Sequence, residues 1–169
     1  PVRSRYDAEP VKSVGNGTTF PENLTTRDQV LGGIALLADS VATRLRHAGL
    51  YAGGIQVTVR DPQCHDRSRQ RQISAPTHLI RDLTDAAMEL VDQLWKPPSP
   101  IRALTVTAIH LVQEGEAYEQ VDLFTASAAP KKEKQEKLEG AMDQIRKKYG
   151  SRAIIFGACQ PEKEEDPLP

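Results

Sequence analysis

Apolar side chains recur at steps of three and four residues in two stretches of this chain, and each stretch is bracketed by segments of β character. Val30, Leu31, Ile34, Leu37, Ala38, Val41 and Leu45 mark the first, over about 26–47. Leu79, Ile80, Leu83, Ala86, Ala87, Leu90, Val91 and Leu94 mark the second, over about 77–95. A helix with such a stripe must bury it against another surface. The surfaces on offer are four strands. Residues 12–20 are rich in Thr, Val and Gly, with a turn expected at Pro21. Residues 54–60 alternate Ile55, Val57 and Val59 with Gln56, Thr58 and Arg60. Residues 67–73 return from the breaker Asp61-Pro62-Gln63 as a second hairpin arm, and residues 101–112 are β-branched and apolar. The order predicts an α+β fold, β-α-β-β-α-β, in which a four-stranded sheet carries two helices on one face and leaves the other open.

Local signals set the ends. Thr26 with Gln29 three residues on fits a capping box, and Gly49 a helix stop. Lys96-Pro97-Pro98-Ser99-Pro100 ends the second helix. Residues 1–11 read as an irregular lead-in and 12–112 as the folded domain. Residues 113–130, acidic at first and then small, read as a linker. Over 131–157 a third helix and a short strand at 152–156 are expected. The helix carries a narrow apolar stripe, Leu138, Ala141, Met142, Ile145 and Tyr149, expected to be its docking face. Residues 158–169 read as disordered.

Composition narrows the chemistry. With 22 Lys and Arg against 23 Asp and Glu, the net charge is −1, so any nucleic-acid surface is a local patch. Residues 1–112 carry 13 basic against 11 acidic residues, and 113–169 carry 9 against 12. No apolar run is long enough for a transmembrane helix, and the polar start does not read as a secretion signal. The start at Pro1 is expected of a piece of a longer chain. Two cysteines, Cys64 and Cys159, are too few for a disulfide framework, which makes a cytoplasmic location the expectation. The four histidines fall in separate elements. Cys64-His65-Asp66 reads as a polar hairpin tip, since adjacent residues cannot all face one metal ion without strain. No metal or catalytic constellation is expected.

The open sheet face is the candidate binding surface. By alternation it receives Ser13, Gly15, Gly17 and Thr19 from the first strand, and Gln56, Thr58 and Arg60 from the second. From the last it receives Ala103, Thr105 and Thr107. Small amides and hydroxyls of this kind suit phosphate oxygens. Arg67, Arg69 and Arg71 add positive charge. Alternation, however, puts them on the same side as Ile73, so either a bulge re-aims them or they sit at a sheet edge. No surface aromatic is available to stack unpaired bases, which leaves a duplex gripped by its backbone. Separately, Gln120-Val121-Asp122-Leu123-Phe124 places a Leu-Phe pair in an acidic stretch, where it needs a partner to bury it.

Together these residues resemble the C-terminal part of a Y-family, polymerase IV-like translesion DNA polymerase. Lys12-Ser13-Val14-Gly15 with Thr18-Thr19-Phe20 resembles the strand that opens that family's little finger domain. Ser68-Arg69-Gln70-Arg71, Pro76-Thr77 and Pro100-Ile101-Arg102 with Leu104-Thr105-Val106 follow in the family's order. The resemblance implies a non-catalytic domain that grips template-primer duplex DNA, with Lys12, Ser13, Gly15, Thr58, Arg60, Ser68, Arg69, Arg71, Thr105 and Thr107 as DNA-contacting candidates. It implies that Gln120, Asp122, Leu123 and Phe124 bind the bacterial sliding clamp. It also implies a catalytic palm upstream that works with magnesium, none of which this chain would hold. Two rival readings remain: a small-molecule-sensing regulatory domain, since the βαββαβ pattern is shared with ligand sensors, and a module that binds only protein.

Overall fold

The computed structural model describes residues 10–119, 129–155 and 157. Its elements are β1 (Val14–Leu24), α1 (Arg27–Ala48), β2 (Leu50–Arg60), β3 (Asp66–Thr77), α2 (Ile80–Leu94), β4 (Ile101–Gln113), α3 (Glu114–Glu119) and α4 (Ala129–Tyr149). The strands form one antiparallel sheet in the order β1-β4-β2-β3. α1 and α2 cover one face, as the order of elements predicts. Ile55, Val57, Leu104, Val106 and Ala108 of the central strands close the core with Val30, Ile34, Leu37, Val41 and Leu45 of α1 and Leu83, Leu90 and Val91 of α2. No helix among the described residues is long and apolar enough to cross a membrane.

α1 begins and ends where its sequence says. Thr26 accepts a hydrogen bond from the Gln29 N–H at 3.3 Å while the Gln29 side chain accepts from the Thr26 N–H. Gly49 then leaves the helix in the left-handed region, φ 65°. α2 starts three residues later than expected. Thr77 still belongs to β3, and its hydroxyl accepts from the Leu79 N–H at 3.1 Å and donates to Asp82 at 2.7 Å. β1 continues past Pro21, where a turn was expected. As an edge strand it tolerates a proline, and the register slips between Thr19 and Leu24.

Three further expectations change beyond residue 112. The expected linker 113–130 opens with α3, and its residues 120–128 lie outside the described residues. Among the described residues of the strand expected at 152–156, none is in a strand: residues 151–155 turn and bend, with Gly150 in the left-handed region (φ 101°) and the Ala153 N–H donating to the Gly150 carbonyl. Phe156 lies outside the described residues, as do the lead-in 1–9 and the segment 158–169.

The largest change is the rotation of α4. It lies on the helices, but not by its apolar stripe. Leu138, Ile145 and Tyr149 are 56, 38 and 69 % exposed, whereas Glu139 is fully buried. Arg46 near the end of α1 pairs with Glu139 and with Asp143, each at 2.6 Å. Arg146 forms a fork with Asp39, both contacts at 2.7 Å. These partners order α4 antiparallel to α1. The α2 N-terminus has no side-chain cap of its own, and the Ile80 N–H donates to Glu139 instead. That orphan donor and the Arg46 guanidinium need carboxylates more than the well-packed helix layer needs further apolar cover.

Candidate nucleic-acid interface

Register aligns the outward residues of the four strands into rows across the sheet. Gly17, Thr105, Thr58 and Ser68 form one row; Gly15, Thr107, Gln56 and Gln70 form the next; Thr19, Ala103, Arg60 and Asp66 form a third. The alternation that buries Val57, Val59, Leu104 and Val106 makes this face inevitable. Thr58 and Ser68 share a hydroxyl–hydroxyl hydrogen bond of 3.1 Å across β2 and β3. A Cβ on Gly17 would lie 2.5 Å from Thr105 Oγ1, and one on Gly15 2.7 Å from Thr107 Oγ1. The two glycines therefore let the threonines of β4 lean over β1, which keeps this side of the sheet low and even.

The expected residues do not all meet here. Gly15, Thr58, Arg60, Ser68, Thr105 and Thr107 share the face, and Lys12 and Ser13 sit exposed just before β1. Arg60 is not a free cation: its guanidinium forks onto Asp66, Nε to Oδ1 at 2.6 Å and Nη2 to Oδ2 at 2.8 Å. The hydrogen bond from Arg60 holds the Asp66 carboxyl below its ordinary range. The sequence carries a trace of this pair, because Arg60 and Asp66 flank the hairpin turn and so face each other in register. Asp61 builds that turn by accepting from the Gln63 and His65 N–H groups, both at 2.9 Å. A shallow depression, open to solvent, lies between Gly17, Thr19, Thr58, Arg60, Asp66 and Thr105.

Of the two alternatives for the arginines of β3, the structure shows the edge. Arg67, Arg69 and Arg71 stand opposite Val59, Val57 and Ile55, so they leave the sheet on its helix-bearing side, and β3 is the outermost strand. Arg71 pairs with Glu89 of α2, and Arg67 donates to the Leu94 carbonyl. Among the described residues, Arg69 alone of the three makes no hydrogen bond or ion pair through its side chain. The open face is thus polar and nearly neutral, and the one unpartnered cation of β3 stands at its margin. Gln120, Asp122, Leu123 and Phe124 lie outside the described residues.

Sequence reasoning missed the second polar cluster, between α1, α2 and α4. There His78 stacks on Tyr51 with ring centroids 4.3 Å apart. Burial, with Arg46 and Lys132 nearby, pushes the His78 imidazole down to about 4. Burial raises the Glu139 carboxyl above its ordinary value against the pull of Arg46. Among the described residues no group of three or more His, Cys, Asp or Glu is placed to hold a metal ion.

The impB/mucB/samB family C-terminal domain matches residues 11–123. DNA polymerase IV of Acetivibrio thermocellus is 31% identical over 155 residues, 91% of this chain and 38% of that protein. DNA polymerase IV of Bacillus velezensis is 32% identical over 153 residues, 90% of this chain and 36% of that protein. The chain therefore spans a little over a third of the length of these relatives. Among solved structures, DinB from Sulfolobus solfataricus shares the fold with a TM-score of 0.52 at 15% identity, over 64% of this chain and 33% of that one.

Proposed function

Because the chain belongs to the impB/mucB/samB C-terminal domain family, we propose that it is the little finger of a translesion DNA polymerase and holds template-primer duplex by its backbone. The observation that supports the reading best is the open face itself. Its aligned rows of Thr, Ser, Gln and Gly, with the Arg60–Asp66 pair in the third, offer hydroxyl and amide groups side by side to phosphate oxygens. Binding is then insensitive to sequence and weak for the isolated domain, with Kd on the order of 10⁻⁴–10⁻⁶ M at physiological salt. The paired Arg60 contributes through the outer edge of its guanidinium, and Arg69 supplies charge from the rim.

The polymerase reaction, template-directed nucleotidyl transfer assisted by magnesium, belongs in this reading to a palm on another part of the parent protein. Residues 120–124 act as the tether to the bacterial sliding clamp. Leu123 and Phe124 fill an apolar pocket and Gln120 fixes the orientation by hydrogen bonds. Of the rival readings, a small-molecule sensor is disfavoured by the shallow, polar depression on the face.

Titration of the chain with duplexes of unrelated sequence, followed by fluorescence anisotropy, tests the reading. With about three phosphates contacted, a fourfold rise in salt weakens binding roughly 40-fold. Thr58→Glu with Thr105→Glu puts two carboxylates in the central row and weakens every duplex alike, by at least tenfold. Full affinity in that variant, or a strong preference for one sequence, would refute the assignment of this face.

A further inference from the structure

α4 is held by its charged side, and that leaves its apolar side exposed among the described residues. Glu139, Asp143 and Arg146 are spaced so that all three point at α1 and α2, where they meet Arg46, Ile80 and Asp39. About a third of a turn away along the same helix run Leu138, Ala141, Ile145 and Tyr149. The buried pairs fix the helix's rotation, so this strip cannot roll inward without breaking three ion pairs. An isolated exposed leucine is ordinary, but four apolar residues aligned over three turns of a firmly held helix are a surface.

The margins of the strip say what covers it. Lys131 and Lys134 lie at one end, and Lys148 at the other, its ammonium 5.3 Å from the Tyr149 ring centroid. None of these lysines is ion-paired among the described residues. A second copy laid antiparallel would set lysine against lysine, and four side chains a side fall well short of the roughly 800 Å² per partner that a stable dimer buries. Duplex DNA would match the charge but would leave leucine and isoleucine without apolar contact.

We propose that the strip of Leu138, Ala141, Ile145 and Tyr149 docks a partner protein through a segment that is apolar along one side and acidic at its margins. This is an amphipathic helix laid beside α4, with its apolar residues at steps of three and four.

The probe is a helical peptide of Leu, Ala, Gln and Glu with leucines at that spacing. Its counterpart carries Lys in place of every Glu. Each is titrated into the 169-residue chain and followed by amide chemical shifts. The acidic peptide should shift the amides of Leu138, Ala141, Ile145 and Tyr149, bind at least tenfold more tightly than its lysine counterpart, and weaken with salt. Leu138→Gln with Ile145→Gln should lose at least tenfold in affinity. Should that pair lower the melting temperature, Lys134→Glu with Lys148→Glu leaves every apolar contact in place and should lose a similar factor. Undiminished binding by both variants, equal binding of the lysine peptide, or no shifts at millimolar acidic peptide would each overturn the proposal. So would the same amides responding more strongly to duplex DNA, or sedimentation showing a dimer that Leu138→Gln with Ile145→Gln dissolves.

Discussion

Arg46 and Glu139 form an asymmetric pair. Arg46 serves Glu139, Asp143 and the His78 carbonyl at once, whereas Glu139 is fully buried and also caps α2. Arg46→Met would strand two carboxylates in a poorly solvated place and should cost about 3–5 kcal/mol in denaturant unfolding. Glu139→Gln keeps an oxygen for the Ile80 N–H and relieves a carboxyl that burial already disfavours. It should cost no more than about 1 kcal/mol. Equal losses in the two variants would show that the charge on Glu139 matters as much as that on Arg46. His78 makes a second residue-scale prediction. Its imidazole is held at about 4 in the folded chain against 6.5 when free, so the unfolded chain binds the extra proton between those values. Stability contributed by neutral His78 is therefore complete above pH 6.5 and is lost as pH falls toward 4, by about 2 kcal/mol at pH 5. His78→Phe keeps the ring on Tyr51 and should abolish that part of the pH dependence. Melts of both proteins at pH 7 and pH 5 measure the difference.

Among the elements, α1 and α2 show how differently a helix start can be written. The α1 start is local: Thr26 and Gln29 are three residues apart, and any reader of the sequence finds them. The α2 start depends on Glu139, 59 residues further along, and no local pattern announces a cap supplied by another helix. The same gap explains the rotation of α4. Apolar periodicity identifies a stripe but not whether the waiting surface is apolar, and here that surface offers Arg46, Asp39 and an uncapped helix end. The arginines of β3 were legible to the point of two alternatives. Alternation ties them to the side of Ile73, and only the position of β3 at the sheet edge explains how they stay wet there. If α4 caps α2 as described, a chain ending at residue 119 should still fold but exchange the amide hydrogen of Ile80 much faster. Unchanged protection of Ile80 would mean that water replaces Glu139 without loss.

For the whole molecule, the order β-α-β-β-α-β and the outward residues of each strand were legible, because a period of two in the strands and 3.6 in the helices leaves few arrangements, whereas the rows needed the strand order β1-β4-β2-β3 and its register. What the periodicity could not show was the near neutrality of the face, which follows from one cross-hairpin pair, Arg60 with Asp66. At this scale the two proposed functions are separable. Leu123→Ala with Phe124→Ala should abolish binding of a bacterial sliding clamp in calorimetry, from a Kd on the order of micromolar, and leave duplex affinity untouched. A loss of both at once would mean that one surface serves the two partners.

The forks on α4 also have a mechanical consequence. Arg46 and Arg146 close the chain on itself over about a hundred residues, from the first helix to the last. A pull along α4 is shared by two arginine–carboxylate clusters about two turns apart, which must slide past each other together. A pull at right angles would open them one at a time. The helix is therefore stiff against tension along its axis and easily lifted from one end, so the direction of a load decides whether α4 transmits force to α1 or lets go.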